Sequence, residues 1–316
     1  MSKEESQKRA LHTLRHTMGE DILRYMEDPL VFELMVNPDG KLWADTFNQG
    51  RIFTGLYINP LISRQIIYQV ADITDQVCTE SMPMLAAELP DGSRFQGFLP
   101  KVAPSPAFII RKHSTRRLFL EDYVKDSIMT PLQRNVILQA IRDKKNIIAA
   151  GGTKSGKTTL LNAIIAEIAK VSPHDRIVMI EDLPELHCTA ENVLSLRTTE
   201  GVTMDDLLRS TLRATPDRIV VGEVRSGEAL ALLDAWSTGH RGGCSTVHSN
   251  SARQTLLRLQ QMIARVSISP QQATIGDAVD MVVYLKRKGT SRIIEEIIAV
   301  DAYNESKKEY SIQQIA

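Results

Sequence analysis

Apolar positions along this chain follow one spacing and then another, and the change marks its organisation. Near the start Leu11, Leu14, Met18, Ile22 and Met26 recur every three or four residues, which predicts an amphipathic helix over residues 3–26. Short strand-like runs follow at 32–36, 41–45 and 51–54, the first two divided by the turn residues Asn37-Pro38-Asp39-Gly40. Asn59-Pro60 supplies an N-cap and a first-turn proline for a helix reaching about residue 77. Two more runs, 84–89 and 94–99, flank the turn Pro90-Asp91-Gly92-Ser93, and another covers 107–111. Residues 1–112 therefore read as an α+β domain. The stretch 113–129 is charged, weakly periodic, and reads as a linker.

From Thr130-Pro131, with Gln133 at the capping-box position, the pattern becomes an alternation of buried-type strands and helices. Strands are predicted at 146–150, 176–180, 193–196 and 218–222, and helices at 157–171, 204–214, 226–237 and 251–264. The runs 281–285 and 293–300 around Lys288-Gly289-Thr290-Ser291 read as a closing hairpin. That alternation predicts α/β layering on a largely parallel sheet over residues 130–316.

Between the apolar strand 146–150 and the helix 157–171, whose apolar face is Leu160, Leu161, Ile164, Ile165 and Ile168, lies Gly151-Gly152-Thr153-Lys154-Ser155-Gly156-Lys157-Thr158. It satisfies the G-x-x-x-x-G-K-[ST] pattern in the order strand, glycine loop, helix. Backbone N–H groups of such a loop point at phosphate oxygens, and the helix N-terminus adds its dipole. Lys157 places a charge at the β/γ end, and the Thr158 hydroxyl can ligate Mg²⁺. The expected ligand is a nucleoside triphosphate, held by residues 151–158 with Thr159 following in the helix.

In an open α/β sheet, ligands gather beyond the carboxyl ends of the strands. Glu181, Asp182 and Glu185 follow one apolar run, Glu223 follows another, and His240 and His248 flank Cys244-Ser245-Thr246-Val247. Phosphoryl transfer to water needs a metal to gather charge and a carboxylate to orient the water, and these acids can fill both roles. Glu181 and Asp182 are the candidates for the metal beside Thr158, and Glu223 is the candidate water-orienting base. The histidine spacing matches no usual zinc site; an imidazole N–H sensing the γ-phosphate suits them better, with structural packing of one as the plain alternative.

Composition narrows the reading without changing it. At 316 residues two domains are expected, and 38 basic against 38 acidic residues leave no global field for DNA or an anionic membrane. No secretory signal and no apolar span of membrane length are read from the sequence, so a cytoplasmic location is expected. Cys78, Cys188 and Cys244 are scattered, which disfavours a zinc module or disulfides.

Four ordered motifs together resemble the type II/type IV secretion ATPase superfamily: the phosphate loop, the acidic box at 180–186, the run 216–225, and Thr238-Gly239-His240-Arg241-Gly242-Gly243 leading to His248. They are similar to its Walker A, Asp box, Walker B and His box. The short N-terminal domain resembles the conjugal-transfer members, whereas type II and pilus-assembly relatives usually carry extra domains and a tetracysteine module; pilus-retraction ATPases remain an alternative of similar length. The resemblance implies a RecA-like P-loop ATPase core with a smaller α+β N-terminal domain. It implies ATP and Mg²⁺ as cofactors, Lys157 and Thr158 on phosphate and metal, Glu185 and Glu223 assisting hydrolysis, and His240 and His248 at the phosphate end. Arg94 and Arg111, otherwise unranked beside Arg116 and Arg117, resemble the arginines of that domain which reach the nucleotide. Ser249 departs from the alanine that relatives often place after the second histidine. A homo-hexamer, other components of a conjugative type IV secretion machine, and peripheral association with the cytoplasmic face of the inner membrane are further implications. Rival readings are a nucleic-acid motor, disfavoured by 5% aromatic content and zero net charge, and a nucleotide-stabilised scaffold without turnover. No direct sequence-specific nucleic-acid binding is expected.

Overall fold

The structure, a computed structural model, describes residues 3–113, 118–289 and 291–316. The chain divides into two compact units, Met1–Arg116 and Arg117–Ala316. Arg116 and Arg117, with the rest of 114–117 from the segment read as a linker, lie outside the described residues.

The first unit holds α1 (Lys3–Glu27), β1 (Val31–Val36), β2 (Lys41–Thr46), β3 (Gly50–Tyr57), α2 (Pro60–Ile73), β4 (Met84–Glu88), β5 (Arg94–Phe98) and β6 (Ala107–Arg111). The strands form one antiparallel sheet in the order β3-β2-β1-β6-β5-β4. The periodic apolar positions of α1, which kinks at Gly19, bury Leu14, Met18 and Ile22 in one cluster with Ile66, Ile67 and Val70 of α2. Asn59 caps α2 through its side chain on the Leu61 N–H, as the Asn-Pro start predicts.

The second unit holds α3 (Leu120–Lys125), α4 (Pro131–Arg142), β7 (Ile147–Gly151), α5 (Lys157–Val171), β8 (Ile177–Glu181), β9 (Val193–Arg197), α6 (Met204–Thr211), β10 (Arg218–Val224), α7 (Glu228–Ser237), β11 (Cys244–His248), α8 (Ala252–Ile263), α9 (Gln272–Ala278), β12 (Met281–Lys288), β13 (Ser291–Asn304) and β14 (Glu309–Gln314). Its sheet runs β14-β13-β12-β7-β11-β10-β8-β9, parallel from β12 to β9 and antiparallel at β13 and β14. One apolar layer joins α3, α4 and α5 to the sheet, and a second joins α6 to α9 on the opposite face. Both faces are therefore covered, which is why β7, β8 and most of β10 read as unbroken apolar runs.

Part of the segment read as a linker belongs to this core, because Leu120, Tyr123 and Met129 are buried in the α3–α5 layer. The β11 strand, α9 and β14 also go beyond what the sequence pattern predicts. The closing hairpin forms as expected, with Leu285 opposite Ile294.

Candidate active site

Parallel register sets the geometry of the site. Gly151 stands beside His248 on β11, and Ile180 on β8 stands beside Val221 on β10, so the strand ends carrying Gly151, Glu181, Glu223 and His248 share one edge of the sheet. The loop at residues 152–156 bridges β7 to α5, whose Leu160, Leu161, Ile164, Ile165 and Ile168 are all at most 2% exposed. Each such burial contributes roughly 1.5–3 kcal/mol, so the helix N-terminus is held firmly beneath the loop.

Two glycines are sterically required here. A Cβ on Gly151 would sit 2.5 Å from both the Leu285 carbonyl oxygen and the Ser155 hydroxyl. Gly156 caps α5 with a φ of 96°, a left-handed conformation that side chains disfavour. The Ser155 Oγ is buried and has no hydrogen-bond partner. An unoccupied polar atom inside a glycine-shaped cradle fits an oxygen-rich ligand such as a phosphate chain.

A continuous series of contacts crosses the mouth of the cradle. The Lys157 ammonium donates to the Gly152 carbonyl at 2.9 Å and meets His248 Nδ1 at 3.2 Å. With Nδ1 facing an ammonium, the imidazole proton belongs on Nε2, which lies 2.9 Å from Glu223 Oε1. Burial, then the charge of Lys157, holds the His248 pKa below its ordinary value. Glu223 Oε2 in turn accepts from Arg225 Nε at 2.8 Å and Nη2 at 2.5 Å, and Arg225 Nη1 reaches Asp182 Oδ2 at 3.2 Å. Lys157, His248, Glu223, Arg225 and Asp182 thus link four segments distant in sequence.

The acidic box has a partly structural part. Glu181 is buried, and its Oε2 accepts the backbone N–H groups of Glu185 and Leu186 at 2.8 and 2.9 Å. Burial raises its pKa, opposed by those two amides. Asn162 of α5 holds the same loop, donating to the Glu185 carbonyl and accepting from the His187 N–H, both at 2.8 Å. Asp182 also accepts from the Thr198 hydroxyl at 3.1 Å. Among the described residues no group of three or more His, Cys, Asp or Glu side chains forms a metal cage. Mg²⁺ needs none when it is bound through phosphates and water with one or two protein ligands, for which Thr158, second in α5, is suitably placed. Glu181 has Oε2 committed to the loop backbone, which leaves only its other oxygen for such a role.

His240 requires a correction. It was expected beside His248 at the phosphate end, but β11 separates the two residues. His240 precedes the start of that strand, its Nδ1 3.2 Å from the Ala235 carbonyl, while His248 closes it. A five-residue strand spans roughly 13–17 Å. The segment after His240 belongs to the other edge of the sheet, where Asn146 accepts from the Gly242 and Gly243 amides and Arg218 donates to the Gly242 carbonyl.

In the first unit, Arg94 on β5 and Arg111 on β6 are direct cross-strand partners, with Glu33 of β1 on the other side of Arg111. Sequence reading names the two arginines together, and strand register puts them side by side. That reading missed Arg225, two residues beyond Glu223, and Arg292, whose Nε lies 3.4 Å from the Lys154 carbonyl and whose pKa is lowered by burial. Their only sequence signal is basic character next to a strand end. Cys78 and Cys244 are buried and Cys188 is partly buried, and burial pushes the Cys244 thiol up to about 12.

A phosphate loop after a central strand of a doubly covered parallel sheet, with a strand-end glutamate and histidine facing its lysine, defines a P-loop ATPase with a RecA-like core. The chain belongs to the type II/IV secretion system protein family, whose model matches residues 55–313. The conjugal transfer protein TrbB of Rhizobium radiobacter is 43% identical, the match covering 96% of this chain and 94% of that protein. The type IV secretion system protein PtlH of Bordetella pertussis is 32% identical over 82% of this chain and 86% of its own. Among solved structures the Legionella pneumophila ATPase DotB is similar with a TM-score of 0.64 and 18% identity, covering 86% of this chain and 77% of that one, a likeness of fold. No helix among the described residues is long and apolar enough to cross a membrane.

Proposed function

We propose that this ATPase hydrolyses Mg²⁺-ATP as a hexameric motor that powers substrate transfer or pilus assembly in a conjugative type IV secretion machine, at the cytoplasmic face of the inner membrane. The observation that carries the reading is the contact series from Lys157 through His248 to Glu223, which joins a phosphate-binding charge to a candidate base across 3.2 and 2.9 Å. The conjugal role rests on the name and 43% identity of the Rhizobium relative.

In this reading residues 151–159 wrap the phosphates, Lys157 leaves the Gly152 carbonyl for the β/γ oxygens, and Thr158 holds the metal. Mg²⁺ held there would supply positive charge to the phosphate oxygens. Glu223 orients the water. The water oxygen bonds to the γ-phosphorus, the bridge to the β-phosphate breaks with its electron pair on ADP, and the proton passes to Glu223. Glu185 supports the site from the loop pinned by Asn162, and Asp182 bears on it through Arg225. His248 senses whether Lys157 is engaged by phosphate. Arg94 and Arg111, in the domain of residues 1–112, are candidates to supply positive charge to the phosphates, and residues 130–316, with α3 attached, form the core.

The test is steady-state ATP hydrolysis with and without Mg²⁺, beside mass measurement and a parallel series with DNA. Slow, Mg²⁺-dependent turnover by a six-fold assembly, indifferent to DNA and abolished by Lys157→Ala, is the expected result. Strong stimulation by DNA supports a nucleic-acid motor instead, and tight binding without turnover supports a scaffold.

A further inference from the structure

A carboxylate that orients water must present a chosen oxygen, yet a glutamate side chain turns freely about its last torsion. At Glu223 something stops that rotation. Arg225 places Nε and Nη2 on the same oxygen, Oε2, at 2.8 and 2.5 Å, while Nη1 ties the pair to Asp182 at 3.2 Å. The arginine is itself anchored: its backbone N–H donates to Glu228 Oε1 at 2.6 Å, so main chain and side chain are both fixed where β10 gives way to α7. The other oxygen, Oε1, is buried, has no hydrogen bond of acceptable geometry, and lies 2.9 Å from His248 Nε2 on the side of the phosphate loop. Oε2 is thereby taken up by two guanidinium donors, while Oε1 faces His248 and keeps capacity to accept from a further donor.

We propose that Arg225 is a positioning residue for hydrolysis, pinning Oε2 of Glu223 so that Oε1 is the oxygen that takes the attacking water. The inference rests on Glu223 being the water-orienting group. A planar guanidinium suits the task because its fork fixes direction as well as charge, which an ammonium cannot do. In a loose phosphoryl-transfer transition state the orientation of the attacking water outweighs proton affinity, so fixing the carboxylate is the larger gain. A purely mechanical role, as a strap between the ends of β8 and β10, predicts different behaviour on substitution.

The experiment measures kcat and KM for Mg²⁺-ATP in Arg225→Ala, Arg225→Lys and Asp182→Asn, with melting temperature as a control for folding. Arg225→Ala should lower kcat by about 10- to 100-fold, the scale of a misplaced reacting group, with KM within about twofold. Arg225→Lys should recover only part of that loss, and Asp182→Asn, which removes one of the three guanidinium contacts, should cost less than Arg225→Ala. The side chain is 54% exposed, so added guanidinium ion at millimolar levels can enter its place and should restore turnover to the alanine variant. A strap would give a lower melting temperature, full rescue by lysine and none by guanidinium. Should Arg225→Ala fail to fold, the lysine variant and Asp182→Asn still decide: wild-type kcat in both overturns the proposal. Glu223→Gln separates the two levels of inference, since near-normal turnover there removes the role of Glu223 itself, whereas loss of turnover there with an unaffected Arg225→Ala removes only the positioning role.

Discussion

Lys157 Nζ and His248 Nδ1 stand 3.2 Å apart, so the phosphate-binding charge and the imidazole hold one another at the mouth of the cradle. Burial first, and Lys157 second, keep the imidazole neutral to lower pH than its ordinary value of 6.5. Removing the ammonium in Lys157→Met should raise the His248 pKa, and a titration of the imidazole resonances by NMR measures it. The sign for stability follows from linkage. The unfolded chain takes up this proton near 6.5 and the folded chain only below that, so the contribution is intact above 6.5 and is lost as pH falls beneath it. His248→Gln should therefore flatten the fall in melting temperature between about pH 7 and pH 5; an unchanged slope contradicts the lowered pKa.

Gly151 and Gly152 offer a contrast within one loop. A methyl on Gly151 meets the Leu285 carbonyl and the Ser155 hydroxyl at 2.5 Å, whereas one on Gly152 meets nothing within 4 Å. Gly151→Ala should cost about 1–3 kcal/mol of unfolding free energy, the scale of overpacking in a tight site, and weaken ATP binding at least tenfold. Gly152→Ala should stay within about 0.5 kcal/mol of the wild-type stability. Denaturant unfolding and a fluorescent-nucleotide titration check both, and equal losses in the two variants contradict the steric account.

Why the sequence discloses the loop and not the network around it has a physical basis. The strand–glycine–helix order at 146–171 is local, and β7, β8 and β10 are legible because both sheet faces are covered and their runs are apolar throughout. The β11 strand escapes that pattern because Ser245 and Thr246 are buried in its centre, Thr246 Oγ1 donating to the Gly222 carbonyl. Missing that strand is what put His240 and His248 at the same end. The six-residue α3 and seven-residue α9 are too short for periodicity to declare, and β14 lies at the sheet edge with mostly exposed positions. Arg225 touches Asp182 from 43 residues away. Pairing at that distance is set by the register of β8 and β10, which no local pattern encodes.

Arg218 is 1% exposed and is the largest charged group in the core of the second unit. Its Nε donates to Asp175 Oδ2 at 2.7 Å, Nη1 to the Gly242 carbonyl at 3.0 Å, and Nη2 to the Ser172 hydroxyl at 2.9 Å. A buried ion with its partners removed is costly, so Asp175→Asn, which leaves the guanidinium in place, should destabilise by about 3 kcal/mol. Arg218→Met removes the charge and the donors together and should cost less than a truncation to alanine. Both positions lie at the edge of the sheet away from the phosphate loop, and kcat measured well below the melting temperature should remain within about twofold of wild type. A large fall in kcat with unchanged stability would count against that placement.

The two histidines of the His box should separate in kinetics as they do in space. His248 touches both Lys157 and Glu223, so His248→Asn removes the link between the phosphate-binding charge and the carboxylate. Its kcat should fall by about 10- to 100-fold, on the scale of a lost contact to the reacting groups. His240 meets the Ala235 carbonyl across the far end of β11, a contact that holds the C-terminus of α7 to the turn after it. Its loss in His240→Asn should appear in stability, on the order of 1 kcal/mol, the net worth of one hydrogen bond. Single-turnover hydrolysis on each variant, read beside its melting curve, distinguishes the two. If His240→Asn loses turnover as steeply as His248→Asn while melting like the wild type, the first histidine acts in chemistry, and a neighbouring subunit must then bring it to a phosphate loop that its own strand keeps out of reach.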